Sequence, residues 1–190
     1  LELNSKKRLI VISGPNAGGK SVTLQAVGLL QYMIQCGIQV PVGGNTETRI
    51  LNDIYLDFGD DQSISNDLST YSSHLKNMNF MLKNADENKL ILIDEFGDGT
   101  EPEMGAAIAE AVLQNFAEKG VWGILTTHYA NLKRFSNNYP GIENAAMLFD
   151  NENLKPLYKL KTGIPGSSYT FEIAKNSGLP KEIIELAESK

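Results

Sequence analysis

Residues 14–21 read Gly-Pro-Asn-Ala-Gly-Gly-Lys-Ser, a G-x-x-x-x-G-K-S pattern set between the apolar run Leu9-Ile10-Val11-Ile12 and an amphipathic stretch over residues 20–35. That placement constrains the fold more than any other feature. A buried strand, a glycine-rich turn and a helix start in immediate succession form the context that a phosphate-binding loop requires. Successive N–H groups, unobstructed by Cβ atoms at Gly18 and Gly19, curl around phosphate oxygens while the helix N-terminus adds its positive end. The expected nucleotide-binding residues are therefore Gly14, Pro15, Asn16, Ala17, Gly18, Gly19, Lys20, Ser21 and Val22. Lys20 is expected on the β and γ phosphates, and the Ser21 hydroxyl on Mg²⁺.

Short apolar runs alternate with amphipathic stretches along the whole chain, which predicts an α/β domain with a mostly parallel sheet flanked by helices. Strands are expected at 9–12, 54–58, 90–93 and 121–125, with a pair at 145–149 and 156–161 around an Asn151-Glu152-Asn153 turn. Helices are expected at 20–35, stopped by Gly37, and at 70–83 with Leu75, Met78 and Leu82 inward. Three more follow, one at 103–118 with Ile108, Ala111, Val112 and Phe116 inward and a closing pair near 168–176 and 180–189, with starts at Ser168 and Leu179-Pro180.

Leu90-Ile91-Leu92-Ile93-Asp94-Glu95 ends a buried strand in two acids, at the sheet edge where an open α/β fold places its ligand crevice. Asp94 suits a Mg²⁺ shell. Glu95 beside it suits orientation of a water for attack on the γ phosphate, and so points to hydrolysis.

These residues stand in order with Ser69-Thr70-Tyr71, Asp94-Glu95-Phe96-Gly97-Asp98-Gly99-Thr100 and Thr126-Thr127-His128-Tyr129. Together with the G-P-N-x-G-G-K-S form of the loop, they resemble the ATPase domain of the MutS family, whose nucleotide site is of the ABC ATPase class. The likeness runs from about Leu9 to Pro180. Gly59-Asp60-Asp61-Gln62-Ser63-Ile64, the run 68–74 and Pro165-Gly166-Ser167-Ser168-Tyr169 resemble the second bacterial paralogue, linked to recombination suppression and ribosome rescue. The resemblance implies an ATP-binding, ATP-hydrolysing P-loop domain that homodimerises around two composite sites. Ser69 would reach the γ phosphate held by the opposite subunit, His128 would be the switch histidine, and the 97–100 loop would line the dimer interface. Tyr158 would stand near the adenine. Asp98 departs from the family's usual Arg, and the aromatic on the other side of the base would precede Leu1, which implies weak ATP binding.

Composition bounds the rest. The net charge is −6, which argues against a surface built to grip nucleic acid, so contact with DNA or ribosomes is expected through segments outside these 190 residues. A start at Leu1 fits a single domain cut from a longer chain. No apolar run suits a membrane span, and one cysteine with no secretory signal fits the cytoplasm. Two histidines and Cys36 lack zinc spacing. His74 is expected on the surface, Asp57, Asp60 and Asp61 in a solvated turn, Cys36 as an apolar filler, and Trp122 and Phe116 in the core. Competing readings are the head of another DNA-maintenance ATPase, a phosphate-loop kinase and a non-hydrolysing nucleotide sensor. Such heads are split by a long coiled coil, whereas about seventy residues join Ser21 to Asp94 here. Nothing Arg-rich resembles a kinase lid.

Overall fold

The structure, a computed structural model, describes residues 1–15, 18–58, 67–98, 101–150, 153, 155–166 and 178–188, with 67–71 and 188 described by their main chain alone. The elements run β1 (Lys7–Ser13), α1 (Lys20–Gln35), β2 (Asp53–Asp57), α2 (Asp67–Asn84), β3 (Lys89–Ile93) and α3 (Pro102–Glu118). They continue with β4 (Trp122–Thr126), α4 (Ala130–Asn138), β5 (Gly141–Asp150), β6 (Lys155–Thr162) and α5 (Lys181–Glu188). Asn16, Ala17, the 59–66 segment, Gly99-Thr100, the Asn151-Glu152 part of the hairpin turn and the expected helix at 168–176 lie outside the described residues.

The six strands form one sheet in the order β2-β3-β4-β1-β5-β6, parallel except for the final β5–β6 pair. This is the α/β architecture that the alternation predicts. The strand repeat of two sorts the core onto the two faces. Leu9, Val11, Ile91, Ile93 and Leu125 face one way and pack with Met78 of α2, Phe116 of α3 and Leu132 of α4. Ile10, Ile12, Leu90, Leu92 and Ile124 face the other way and pack with Leu24 of α1. Burying β1 on both faces and between two strands leaves its loop at the centre of the sheet's carboxyl edge, where the order turns from β4 on one side to β5 on the other. No helix among the described residues is long and apolar enough to cross a membrane.

Several expectations need correction. In α3 the inward residues are Gly105, Ala106, Ala109, Val112, Leu113 and Phe116, while Ile108 and Ala111 face solvent. Three small residues let that stripe lie close to its neighbours, and close approach outweighs the size of Ile108. Helix α4 was not expected, because its nine residues hold three Asn and one Ser, which are weak helix formers. Cys36 is exposed, as are Tyr32 and Gly37, since the last turn of α1 has run past the sheet. Trp122 is half-buried, with its indole N–H donating to Glu87 O at 3.0 Å. Asp57 is not in a solvated turn, and His74 is half-buried. Asp57 is 4% exposed and His74 is bonded to it, because α2 lies directly on the end of β2.

Candidate nucleotide site

The described residues of the 14–21 loop, Gly14, Pro15 and Gly18 to Ser21, follow β1, and Gly14 and Gly18 are drawn tightly against β5. Gly18 donates its N–H to Pro15 O at 2.9 Å, and a Cβ built on Gly18 or Gly14 would stand 3.1–3.2 Å from Met147 Cβ of β5. Gly19 holds φ +93°, a left-handed turn that suits glycine, and aims the chain into α1. Lys20, the first residue of α1, is 4% exposed, and its Nζ donates to Gly14 O at 2.9 Å across the loop. Burial lowers its pKa, and the nearby carboxylates of Asp94 and Glu95 act in the opposite direction. Ser21 is half-buried, while Val22 is 66% exposed and points from the first turn of α1 into solvent.

The two acids lie two strands away, across β4. Asp94 is 8% exposed and accepts a hydrogen bond from the Thr126 hydroxyl. The same hydroxyl accepts the Glu95 N–H at 2.9 Å, and Thr126 O accepts the Phe96 N–H at 2.8 Å. Thr127 N–H in turn donates to Ile12 O at 3.0 Å, so the turn after β3 is stitched to β4, and β4 to the base of the phosphate loop. The motif marks Thr126, but its grip on both acids has no local sequence signal. Glu95 has an exposed side chain on a backbone at φ +49°, and Tyr158 stands at φ +50°. These are the non-glycine residues with positive φ among the described residues, a sparsely occupied conformation that carries strain.

His128 follows β4 with a half-exposed ring tilted on Tyr129, and its Nδ1 lies 3.4 Å from Asp98 Oδ2. Asp98 therefore meets its own chain's histidine. Burial raises the Asp98 pKa, against the pull of His128 and of a hydrogen bond from Tyr129. Tyr158 of β6 is exposed, and its ring edge comes within 3.5 Å of where a Gly19 Cβ would be, which sets an aromatic beside the loop and the start of α1. Ser69 is the third residue of α2, and its side chain lies outside the described residues.

The tail adds a contact that no pattern announced. Gly166 donates its N–H to the buried Ser13 Oγ at 2.7 Å, and Lys133 Nζ of α4 donates to Gly166 O at 2.9 Å. Residues 165–166 thus brace the point where β1 becomes the phosphate loop.

Residues 10–190 match the family described as MutS domain V. The chain belongs to the MutS family. Its relatives place it in the MutS2 type. It is 47% identical over 189 residues to the protein named Endonuclease MutS2 of Geobacillus sp. (strain WCH70), which covers 100% of this chain and 24% of that protein. The corresponding protein of Clostridium botulinum (strain ATCC 19397 / Type A) is 46% identical over 187 residues, 98% of this chain and 24% of that one. That of Thermomicrobium roseum (strain ATCC 27502 / DSM 5159 / P-2) is 44% identical over the same length and shares. The chain thus spans 24% of the length of these curated relatives. As a MutS domain V it is the family's ATPase domain, with a P-loop NTPase fold.

Proposed function

We propose that residues 1–190 act as one ATPase domain that binds ATP with Mg²⁺ and hydrolyses it to ADP and phosphate in a homodimer. The observation that carries this reading is the buried Lys20 ammonium, bonded to a carbonyl of its own loop and lying in the field of Asp94 and Glu95. A buried cation at the start of a helix, beside a glycine-rich turn, suits a phosphate chain. The donor set also fits the metal, since the Ser21 hydroxyl and the Asp94 carboxylate are the hard oxygen ligands that Mg²⁺ takes. Bound there, Mg²⁺ would neutralise charge on the β and γ phosphates.

The chain's own residues would do the remainder. Lys20 would turn from Gly14 O to phosphate oxygens, and Glu95 would accept a hydrogen bond from water and align it for in-line attack. Thr126 would hold the two acids in register. His128, tied to Asp98, would meet the terminal phosphate, and Tyr158 would stack on the base. Ser69, at the N-terminal end of α2, would serve the partner subunit's nucleotide. The whole protein would couple this cycle to DNA, in recombination or repair, or to stalled ribosomes, through segments outside these residues and in the cytoplasm.

ATP turnover against protein concentration tests the reading. Specific activity should climb as dimers form, with light scattering to follow assembly. A specific activity independent of concentration and of dimerisation would overturn the composite site.

A further inference from the structure

Helix α2 is pinned to the end of β2 by two side chains one turn apart. His74 Nδ1 lies 2.9 Å from Asp57 Oδ2, and Asn77 Nδ2 donates to Asp57 Oδ1 at 2.8 Å. Residues i and i+3 share a helix face, so both oxygens of one carboxylate are taken by one helix. Asp57 is 4% exposed, which removes the pair from the class of solvent-screened surface bridges. Its main chain carries a further bond. Asp57 O accepts the Asp94 N–H at 2.8 Å, so α2 and Asp94 are fastened to the same residue.

Packing alone does not call for this arrangement. Met78, next along the helix from Asn77, is 4% exposed and supplies an apolar contact with the sheet. A buried carboxylate paired with a half-buried imidazole costs desolvation that an apolar pair avoids, and the best-attested return of such a pair is a fixed register between elements. The register fixed here is that of α2 along the carboxyl edge. Ser69 is five residues before His74, about 7.5 Å along the helix axis, so a tilt at the pin is carried to the helix start.

We propose that the His74–Asp57–Asn77 junction is a positioning device that sets the N-terminal turns of α2, and that it acts on the nucleotide site of the partner subunit. The proposal rests on the composite-site reading above. His74 touches none of the reacting atoms under this assignment. It orients the helix that reaches across.

The charged groups facing His74 among the described residues are Asp57 from β2 and Asp98 and Glu95 from the segment after β3. All are acids. The hydrogen bond to Asp57 is the leading cause that raises the His74 pKa, against desolvation. A raised pKa gives a fixed sign: the stability contributed is fully present below about pH 6.5 and is lost as pH rises through the folded value.

The test uses four measurements on the dimer. His74→Leu, which removes the bond at similar volume, should leave ATP affinity within about twofold of wild type and lower kcat about tenfold or more, as a misplaced group does. Asn77→Ala, which removes one pin and leaves the other, should lower kcat less. His74→Gln restores a donor that does not titrate, so it should regain most of the turnover and flatten the dependence of melting temperature on pH between about 6 and 9. The deciding measurement uses doubly tagged, purified dimers that combine His74→Leu with Lys20→Ala. The intact α2 of the Lys20→Ala subunit would complete the functional loop of the other, so turnover should return to about half of wild type per dimer.

A mixed dimer as slow as His74→Leu itself would overturn the action on the partner's site. A lowered melting temperature with unchanged turnover in His74→Leu and Asn77→Ala would overturn any positioning role. Were the wild-type dimer itself inactive, the composite-site reading would fall and this proposal with it. An active wild type with equally active variants overturns this proposal alone.

Discussion

Replacing Gly166 with Ala places a methyl group where the main chain of the phosphate loop already stands. A Cβ built at Gly166 lies 2.6 Å from both the carbonyl carbon and the oxygen of Ser13, and 2.8 Å from Gly14 N. These are backbone atoms at the exit of β1, held between β4 and β5, and they have no rotamer by which to move aside. The tail must retreat instead, and the bonds Gly166 N–H to Ser13 Oγ at 2.7 Å and Lys133 Nζ to Gly166 O at 2.9 Å must lengthen. Overpacking costs about 1–3 kcal/mol and a lost hydrogen bond about 0.5–1.5 kcal/mol, which together give about 1.5–4.5 kcal/mol. For a domain of this size the melting temperature should fall by about 3–18 °C. Ser13→Ala removes the acceptor and adds no atom, so it should cost about 1–3 kcal/mol, the penalty of leaving the buried Gly166 N–H without a partner. Because both changes act on one contact, the double variant should fall short of additivity. Thermal unfolding followed by circular dichroism measures the loss, and an ATP titration should show weaker binding as the loop entrance shifts. A Gly166→Ala protein melting within about 1 °C of wild type would refute the reasoning that the tail braces the loop.

Glu95→Gln should retain nucleotide binding and slow hydrolysis by about 10²–10⁴-fold, the worth of a positioned base, as read from single-turnover kinetics. Lys20→Ala should instead lose ATP binding in a calorimetric titration, since the phosphates forfeit their buried charge partner; equal affinities in the two variants would contradict the division of roles. Thr126→Val keeps the β-branched shape but strips the hydroxyl from both Asp94 and the Glu95 N–H, so it should cost about 1–3 kcal/mol in denaturant unfolding. Its turnover should fall about tenfold or more, and wild-type turnover would separate Thr126 from the alignment of the acids.

The sequence exposes the parts of this site whose chemistry is local. A turn that must curl around phosphates needs glycines at fixed offsets, so the 14–21 loop is legible without a structure. An apolar strand that ends in Asp94-Glu95 is legible for the same reason. The sheet follows from the period of its strands, and β5–β6 from their alternation. What stays hidden depends on contacts between distant residues. Asp57 reads as part of an acidic loop until α2 folds back and puts His74 and Asn77 on its two oxygens. Thr126 reads as the end of a strand until β3 lies beside it. The brace of Gly166 on Ser13 joins residues from opposite ends of the chain, which no local pattern encodes. In α3, ranking by hydrophobicity favoured Ile108, while the folded helix buries Gly105, Ala106 and Ala109 because small residues permit the closest approach. Helix α4 escapes a reading by propensity since burial of Leu132 stabilises it in spite of its asparagines, while the buried Ser136 hydroxyl is satisfied by Leu132 O.

The central claim is that each active site belongs to two chains, and turnover by mixed dimers of Ser69→Arg with Lys20→Ala tests it most directly. Each variant alone should be inactive, the first while still binding ATP. A mixed dimer holds one site with both defects and one with neither, so the account predicts recovery to about half of wild-type turnover per dimer. Purified mixed dimers that stay as inactive as either parent would contradict it.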